Sequence, residues 1–185
     1  AFASDDGYEL VWDGGLPLTE GATQNELTSS GMFAMGSDEE LRSVTLEGDD
    51  QHAEKQVSGG VSWMAVKNKY FTAAILPDDP QNARGMELIG DRLSGGSEDA
   101  LDSKVLSGRI NMSPLSARRD TDTFHFYMGP LYYYELTEYG RNLYEMVDYG
   151  WDFFEWMTRP LAKFLFIPML TYLGGFLPYG IVVIF

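Results

Sequence analysis

The chain has 185 residues, 13 Lys and Arg against 28 Asp and Glu, a formal net charge of −15 and no cysteine. That balance leaves no basic stripe to neutralise phosphates and excludes nucleic acid as a partner. The missing cysteines exclude disulfide staples and thiolate metal sites, and the length allows one ordinary domain with an appendage.

The chain opens Ala1-Phe2-Ala3, without an initiator Met, a basic n-region or an apolar h-region, so no signal peptide is visible and the sequence reads as a piece of a longer protein. Residues 8–12 alternate large and polar side chains and close on Asp13-Gly14-Gly15, a strand running into a turn. Residues 19–30 are polar, a loop or short helix. Residues 32–35 and 41–46 predict two short strands around a Gly36-Ser37-Asp38 turn. Residues 47–60 are acidic and predict a loop.

The strongest strand signal is VSWMAVKNKYFTAAIL, residues 61–76, divided at Lys67-Asn68-Lys69 into two apolar runs. Residues 84–89 and 104–112 predict further strands around a polar 94–103 segment. Residues 121–128 alternate, with Phe124, Phe126 and Met128 on one face and Thr123, His125 and Tyr127 on the other. The expected core includes Trp63, Tyr70, Phe71, Phe124 and Phe126. Gly129-Pro130 ends the last strand, and helical character begins over residues 131–139. Short strands followed by helices predict a mainly β sandwich with helical elements after it.

Beyond Arg141, the charged residues Glu145, Asp148, Asp152, Glu155, Arg159 and Lys163 recur every three or four positions. At about 100° per residue they fall within an arc of roughly 80°. The remaining circumference is apolar, the pattern of a helix lying in a membrane interface or on a large core. Trp151, Phe154, Trp156, Met157, Leu161, Phe164 and Leu165 are the candidate membrane-interface residues, and Pro160 should kink or restart the helix. Residues 164–185 carry no charge, but Pro168, Gly174-Gly175 and Pro178 interrupt them. The expectation is an interfacial helix, a bend, and a membrane span starting at Tyr179. The alternative is a buried C-terminal helix of a soluble domain. Tyr132-Tyr133-Tyr134 either packs between domain and linker or sits at headgroup level.

Few residues point to catalysis. His52 and His125, the only histidines, are 73 positions apart and have no clustered partner. Asp49-Asp50 and Asp38-Glu39-Glu40 lack the spacing of a calcium loop and read as solvated turns. The Gly59-Gly60 and Gly95-Gly96 pairs make no phosphate cradle, and no serine has a nucleophile-elbow context. No catalytic residue, cofactor or metal is expected.

VSWMAVKNKYFTAAILP, Phe126-Tyr127-Met128-Gly129-Pro130, Val147-Asp148-Tyr149-Gly150-Trp151 with Arg159-Pro160-Leu161, and Tyr179-Gly180-Ile181-Val182-Val183-Ile184 resemble, in order, stretches of YidC-type membrane protein insertases. Tyr8-Glu9-Leu10-Val11-Trp12 and residues 15–20 agree more weakly. Position 131 is Leu where the family often carries Lys, and the arginine of the family's membrane groove cannot be assigned to any arginine here.

The resemblance implies a twisted antiparallel β-supersandwich over residues 1–130, a linker and interfacial amphipathic helix over 131–178, and the start of a transmembrane helix over 179–185. It implies a non-enzymatic insertase and chaperone of the bacterial inner membrane, its β domain in the periplasm. Its implied partners are newly made membrane proteins, the lipid bilayer and Sec translocon subunits. Two other readings compete. A membrane-tethered carbohydrate-binding or mutarotase-like sandwich would need histidines and carboxylates converging on one concave face. A membrane-anchored adaptor would lack an insertase core.

Overall fold

In the computed structural model, which describes residues 7–19, 23–93, 103–115 and 121–147 together with Phe164, the alternating runs become nine strands. They are β1 (Tyr8–Trp12), β2 (Gly31–Gly36), β3 (Leu41–Val44), β4 (His52–Ser58), β5 (Val61–Lys67), β6 (Phe71–Pro77), β7 (Ala83–Leu93), β8 (Ser103–Met112) and β9 (Phe124–Pro130). Two short helices, α1 (Thr23–Thr28) and α2 (Tyr133–Glu138), and a 3-10 turn at Leu143–Met146 complete the described elements. The chain divides into two compact units, residues 1–146 and 147–185, and these elements belong to the first.

All described pairings are antiparallel. One sheet has the order β1-β8-β7-β4, the other β3-β2-β5-β6-β9. The first strand therefore pairs with one from far down the chain, Tyr8 opposite Met112. Met32, Met64, Val66, Ala73 and Ile75 of the five-stranded sheet pack with Leu88, Leu106, Ile110 and Met112 of the four-stranded sheet. Gly108 lets the two sheets approach closely. A Cβ there would lie 2.5 Å from Met32 Cε and 2.6 Å from Met64 Sδ.

The sheets differ in their outer faces. Across the outer face of the four-stranded sheet, Arg109 Nε lies 2.7 Å from Glu87 and Gln56 donates to both Glu54 and Glu87. Such a face is solvated, and its cross-strand pairs each add only a fraction of a kcal/mol, roughly 0.2–1. The central strands of the five-stranded sheet are buried on both sides. β5 and β6 are buried at nearly every position, and Trp63, Ala65, Lys67, Thr72 and Ala74 are covered as fully as their inward-facing neighbours. That is why their sequence reads as near-continuous apolar runs.

Two expectations need correction. Residues 47–60 are not all loop, because His52–Ser58 forms β4. It is an edge strand that packs only Ala53 and Val57 against the core and leaves its polar residues in water. Tyr70, Phe71 and Phe126 are not core residues; Phe71 is 45% and Phe126 57% exposed. The alternation of β9 holds, but Tyr127 of the opposite face is the buried one, and Phe124 is half-buried against the core. The four-stranded sheet is too narrow to cover the inner face at β9. Trp63, by contrast, is fully buried.

Trp63→Ala should lower stability by about 3–5 kcal/mol, whereas Phe126→Ser should change it by no more than about 0.5 kcal/mol. Urea unfolding of the two variants checks both values, and a large loss for Phe126→Ser would contradict its exposure.

Candidate functional site

The most highly organised polar region is on the outer face of the five-stranded sheet, where the chain crosses β5 and β6 before residue 147. Leu136 of α2 and Leu143 and Met146 of the 3-10 turn are fully buried. Apolar contact alone leaves sliding cheap, and three polar anchors fix the register. Trp63 Nε1 donates to the Arg141 carbonyl at 2.8 Å. Lys67 Nζ donates to the Met146 carbonyl at 2.8 Å, and Thr72 Oγ1 lies 3.3 Å from Met146 Sδ. Arg141 donates to the carbonyls of Ser62, Pro77 and Asp78.

Lys67 is 1% exposed, and a buried ammonium needs partners to offset its desolvation. Besides the carbonyl it sits 4.7 Å from the centroid of the Phe33 ring, a cation–π contact. Neighbouring Asn68 closes the β5–β6 hairpin. Its side-chain oxygen accepts from the amides of Tyr70 and Phe71, while its Nδ2 donates to Glu26 at 2.8 Å. Glu26, fully buried, also accepts from the amide and hydroxyl of Thr19. One polar network thus ties α1 and residues 17–19 to the hairpin.

The turn before the 3-10 segment is strained. Gly140, Arg141 and Asn142 have φ of 69°, 53° and 57°. Glycine tolerates this region, whereas a side chain there costs about 1–2 kcal/mol. The Arg141 hydrogen bonds hold the conformation in place. At the other margin, the Tyr127 hydroxyl donates to the Pro130 carbonyl at 2.7 Å and lies 3.2 Å from Glu135. Burial, with the adjacent Glu135 carboxylate, pushes its pKa up to about 12. Tyr139 stacks edge-on against Tyr127, and Tyr133 against both Tyr134 and Tyr144. Tyr132 and Tyr134 keep half or more of their surface exposed, so the tyrosine run is partly packed and partly open.

The residues that could suggest catalysis do not converge. His52 pairs with Asp91 on the four-stranded sheet, and that hydrogen bond holds its pKa above the ordinary value. His125 pairs with Asp78 at 3.3 Å in the other sheet. Asp38 forms a two-pronged contact with Arg42 that holds its carboxyl below the usual range, a solvated turn as its composition suggests. Among the described residues no three His, Asp or Glu come together to hold a metal. None of their helices is long and apolar enough to cross a membrane.

Of the seven interface candidates, Phe164 is exposed, and Trp151, Phe154, Trp156, Met157, Leu161 and Leu165 lie outside the described residues. The expected span from Tyr179 lies outside them too. Sequence reasoning missed Lys67, Glu26 and Arg141. A charged residue inside a strongly apolar strand, as Lys67 is, was the available signal.

Arg141→Ala should destabilise the chain by about 2–4 kcal/mol, through lost charge-assisted hydrogen bonds, and Arg141→Gly by about 1 kcal/mol less because it relieves the backbone. Chemical denaturation distinguishes them; equal losses would remove the strain argument. Lys67→Met should abolish amide-exchange protection at residues 143–146 while β5 and β6 stay protected. For Tyr127 the folded pKa lies above the ordinary 10, so its stabilisation is full below pH 10 and fades as pH rises towards about 12. Tyr127→Phe should flatten the fall in stability across that window.

The family model described as the YidC periplasmic domain matches residues 6–164. Curated relatives called membrane protein insertase YidC include one from Chlorobium limicola, 34% identical over 180 residues, and one from Chlorobium luteolum, 33% identical over 179. Each alignment covers 96% of this chain and 29% of the relative. A third, from Chloroherpeton thalassium, is 30% identical over 184 residues, covering 99% of this chain and 30% of the relative. The chain thus spans under a third of the length of the curated relatives it matches. With a family match over most of the sequence and the two-sheet antiparallel fold beneath it, the chain belongs to the YidC periplasmic domain family.

Proposed function

We propose that this chain is the periplasmic β domain and membrane-directed linker of a bacterial inner-membrane insertase. The observation that carries the reading is the match to the YidC periplasmic domain over residues 6–164, which joins the β domain and the amphipathic stretch in one family. The role is non-catalytic. The whole protein assists insertion and folding of newly made membrane proteins, alone or with the Sec translocon, and the lipid bilayer is its second partner.

In this reading residues 1–130 form the periplasmic domain, 131–178 the linker and interfacial helix, and 179–185 the start of a membrane span. Trp151, Phe154, Trp156, Met157, Leu161, Phe164 and Leu165 enter the lipid interface while Asp152, Glu155, Arg159 and Lys163 face water. Each large side chain buried there contributes about 1.5–3 kcal/mol, enough in sum to hold a helix at the surface. The Trp63, Lys67 and Arg141 anchors support the reading because they give the linker a fixed starting point. The competing carbohydrate reading draws no support from the histidines, which lie in different sheets.

The test uses the full-length protein in liposomes with a single-span client. Phe154→Asp and Leu161→Asp should each reduce insertion severalfold, while substitutions on the polar face of the four-stranded sheet should not reduce it comparably. Quenching by brominated lipid, compared between wild type and Trp151→Phe or Trp156→Phe, should place both indoles at headgroup depth. Absence of quenching, with full insertion by both Asp variants, would overturn the interfacial role.

A further inference from the structure

Strands at the margin of a sheet expose unpaired amides and carbonyls, and natural proteins blunt them with charge, bulges or brevity. Three of the four edges here follow that rule. β1 carries Glu9, β3 has only four residues and carries Arg42, and β4 carries Glu54 and Lys55. β9 does not. Its sequence, FHFYMGP, has no Asp, Glu, Lys or Arg, and among the described residues it pairs on one side only, with β6.

The register shows which groups are open. Asp78 donates its amide to the Thr123 carbonyl at 2.9 Å, and Leu131 donates to Tyr70 at 2.7 Å, at opposite ends of the same pairing. Bonded and non-bonded pairs alternate along an antiparallel ladder. His125, Tyr127 and Gly129 therefore turn their backbone groups towards β6, and Phe124, Phe126 and Met128 turn theirs outward. Two of these three residues also carry the exposed side chains, with Phe126 57% and Met128 67% open to solvent. The far end is closed, since the Pro130 carbonyl accepts the Tyr127 hydroxyl and proline has no amide hydrogen.

Charge brackets this open ladder. Asp78, Asp79 and Asp122 gather beside Thr123, where Arg141 bonds the Asp78 carbonyl, and Glu135 stands beside Tyr127 at the other end. We propose that the free edge of β9 docks an extended, uncharged segment of a client polypeptide carrying Lys or Arg at the end that meets Asp78 and Asp79. The segment adds a strand beside Phe124, Phe126 and Met128, the backbone supplying affinity and the two exposed side chains selecting apolar residues. That the polypeptide is an insertase client rests on the function proposed above; the edge itself does not.

The probe is a fluorescent peptide of about ten residues, alternating Val and Thr with a Lys pair at one end, titrated by anisotropy against the complete chain. Saturable binding is expected, weakened about tenfold or more by N-methylating alternate amides of the peptide and weakened also when Glu replaces its Lys pair. Met128→Pro removes an outward amide without touching the β6 ladder, which edge strands tolerate. It should abolish binding with the β circular dichroism unchanged, and Met128→Lys should do the same if the proline variant misfolds. Undiminished binding of the N-methylated peptide, or by both folded variants, overturns the proposal. So does an edge occupied by a second copy, seen as a dimer that Met128→Pro dissolves without any peptide binding, or by lipid, seen as vesicle binding that the same variant abolishes. Peptide binding without insertion by the full-length protein would leave the docking edge standing and remove the insertase reading. Insertion without peptide binding would do the reverse.

Discussion

The structure depends on the central strands of the five-stranded sheet, β2, β5 and β6, which are denied water on both faces at nearly every position. A sheet covered on one side needs only alternation, and the four-stranded sheet shows it, with Leu88 and Ile110 inward and Glu87 and Arg109 outward. The central strands of the other sheet have no solvent side to carry polar residues. Every polar group there must be matched inside the protein or it destabilises the fold. Lys67, Asn68, Thr72 and Glu26 are the consequence. Each has a partner: Lys67 and Thr72 meet Met146, and Asn68 donates to Glu26, which also accepts from Thr19.

This division of labour separates affinity from position. The apolar side chains Leu136, Leu143 and Met146 supply the burial that holds the covering segment down, yet burial is nearly indifferent to a small slide. Hydrogen bonds are directional and not indifferent. Trp63 and Lys67 of β5 reach the covering segment, and Arg141 reaches back from it to the carbonyls of Ser62, Pro77 and Asp78, so the chain leaves the β domain at a defined place. In a domain whose proposed work is to present a linker to a membrane, a defined exit has more use than a few additional kcal/mol of stability.

Much of the fold is legible in the sequence because its strands obey period two or are uniformly apolar. The β5–β6 hairpin is the clearest case, since Asn68 marks its turn and both runs are buried. β4 hides because an edge strand buries only two apolar side chains, Ala53 and Val57, and its composition is otherwise that of a loop. Phe71 and Phe126 mislead for a different reason. Alternation tells which residues share a face but not whether another layer extends far enough to cover it. That depends on strand count in the opposing sheet, a property of no local stretch. The buried anchors were harder still, because Arg141 and Lys67 find their acceptors 63 to 79 positions away.

The pairing of β1 with β8 sets a timetable for the chain as it is made. Tyr8 meets Met112, so about 100 residues must emerge before β1 can pair with β8. At about 5–20 residues per second that is a wait of roughly 5–20 seconds. Contacts this distant in sequence also slow the folding reaction itself. During that interval Leu10 and Trp12 lack the β8 strand that holds them against the core. β1 thus waits far longer for its partner than the strands of the β5–β6 hairpin do, and whatever shields those side chains in the meantime is part of the folding pathway.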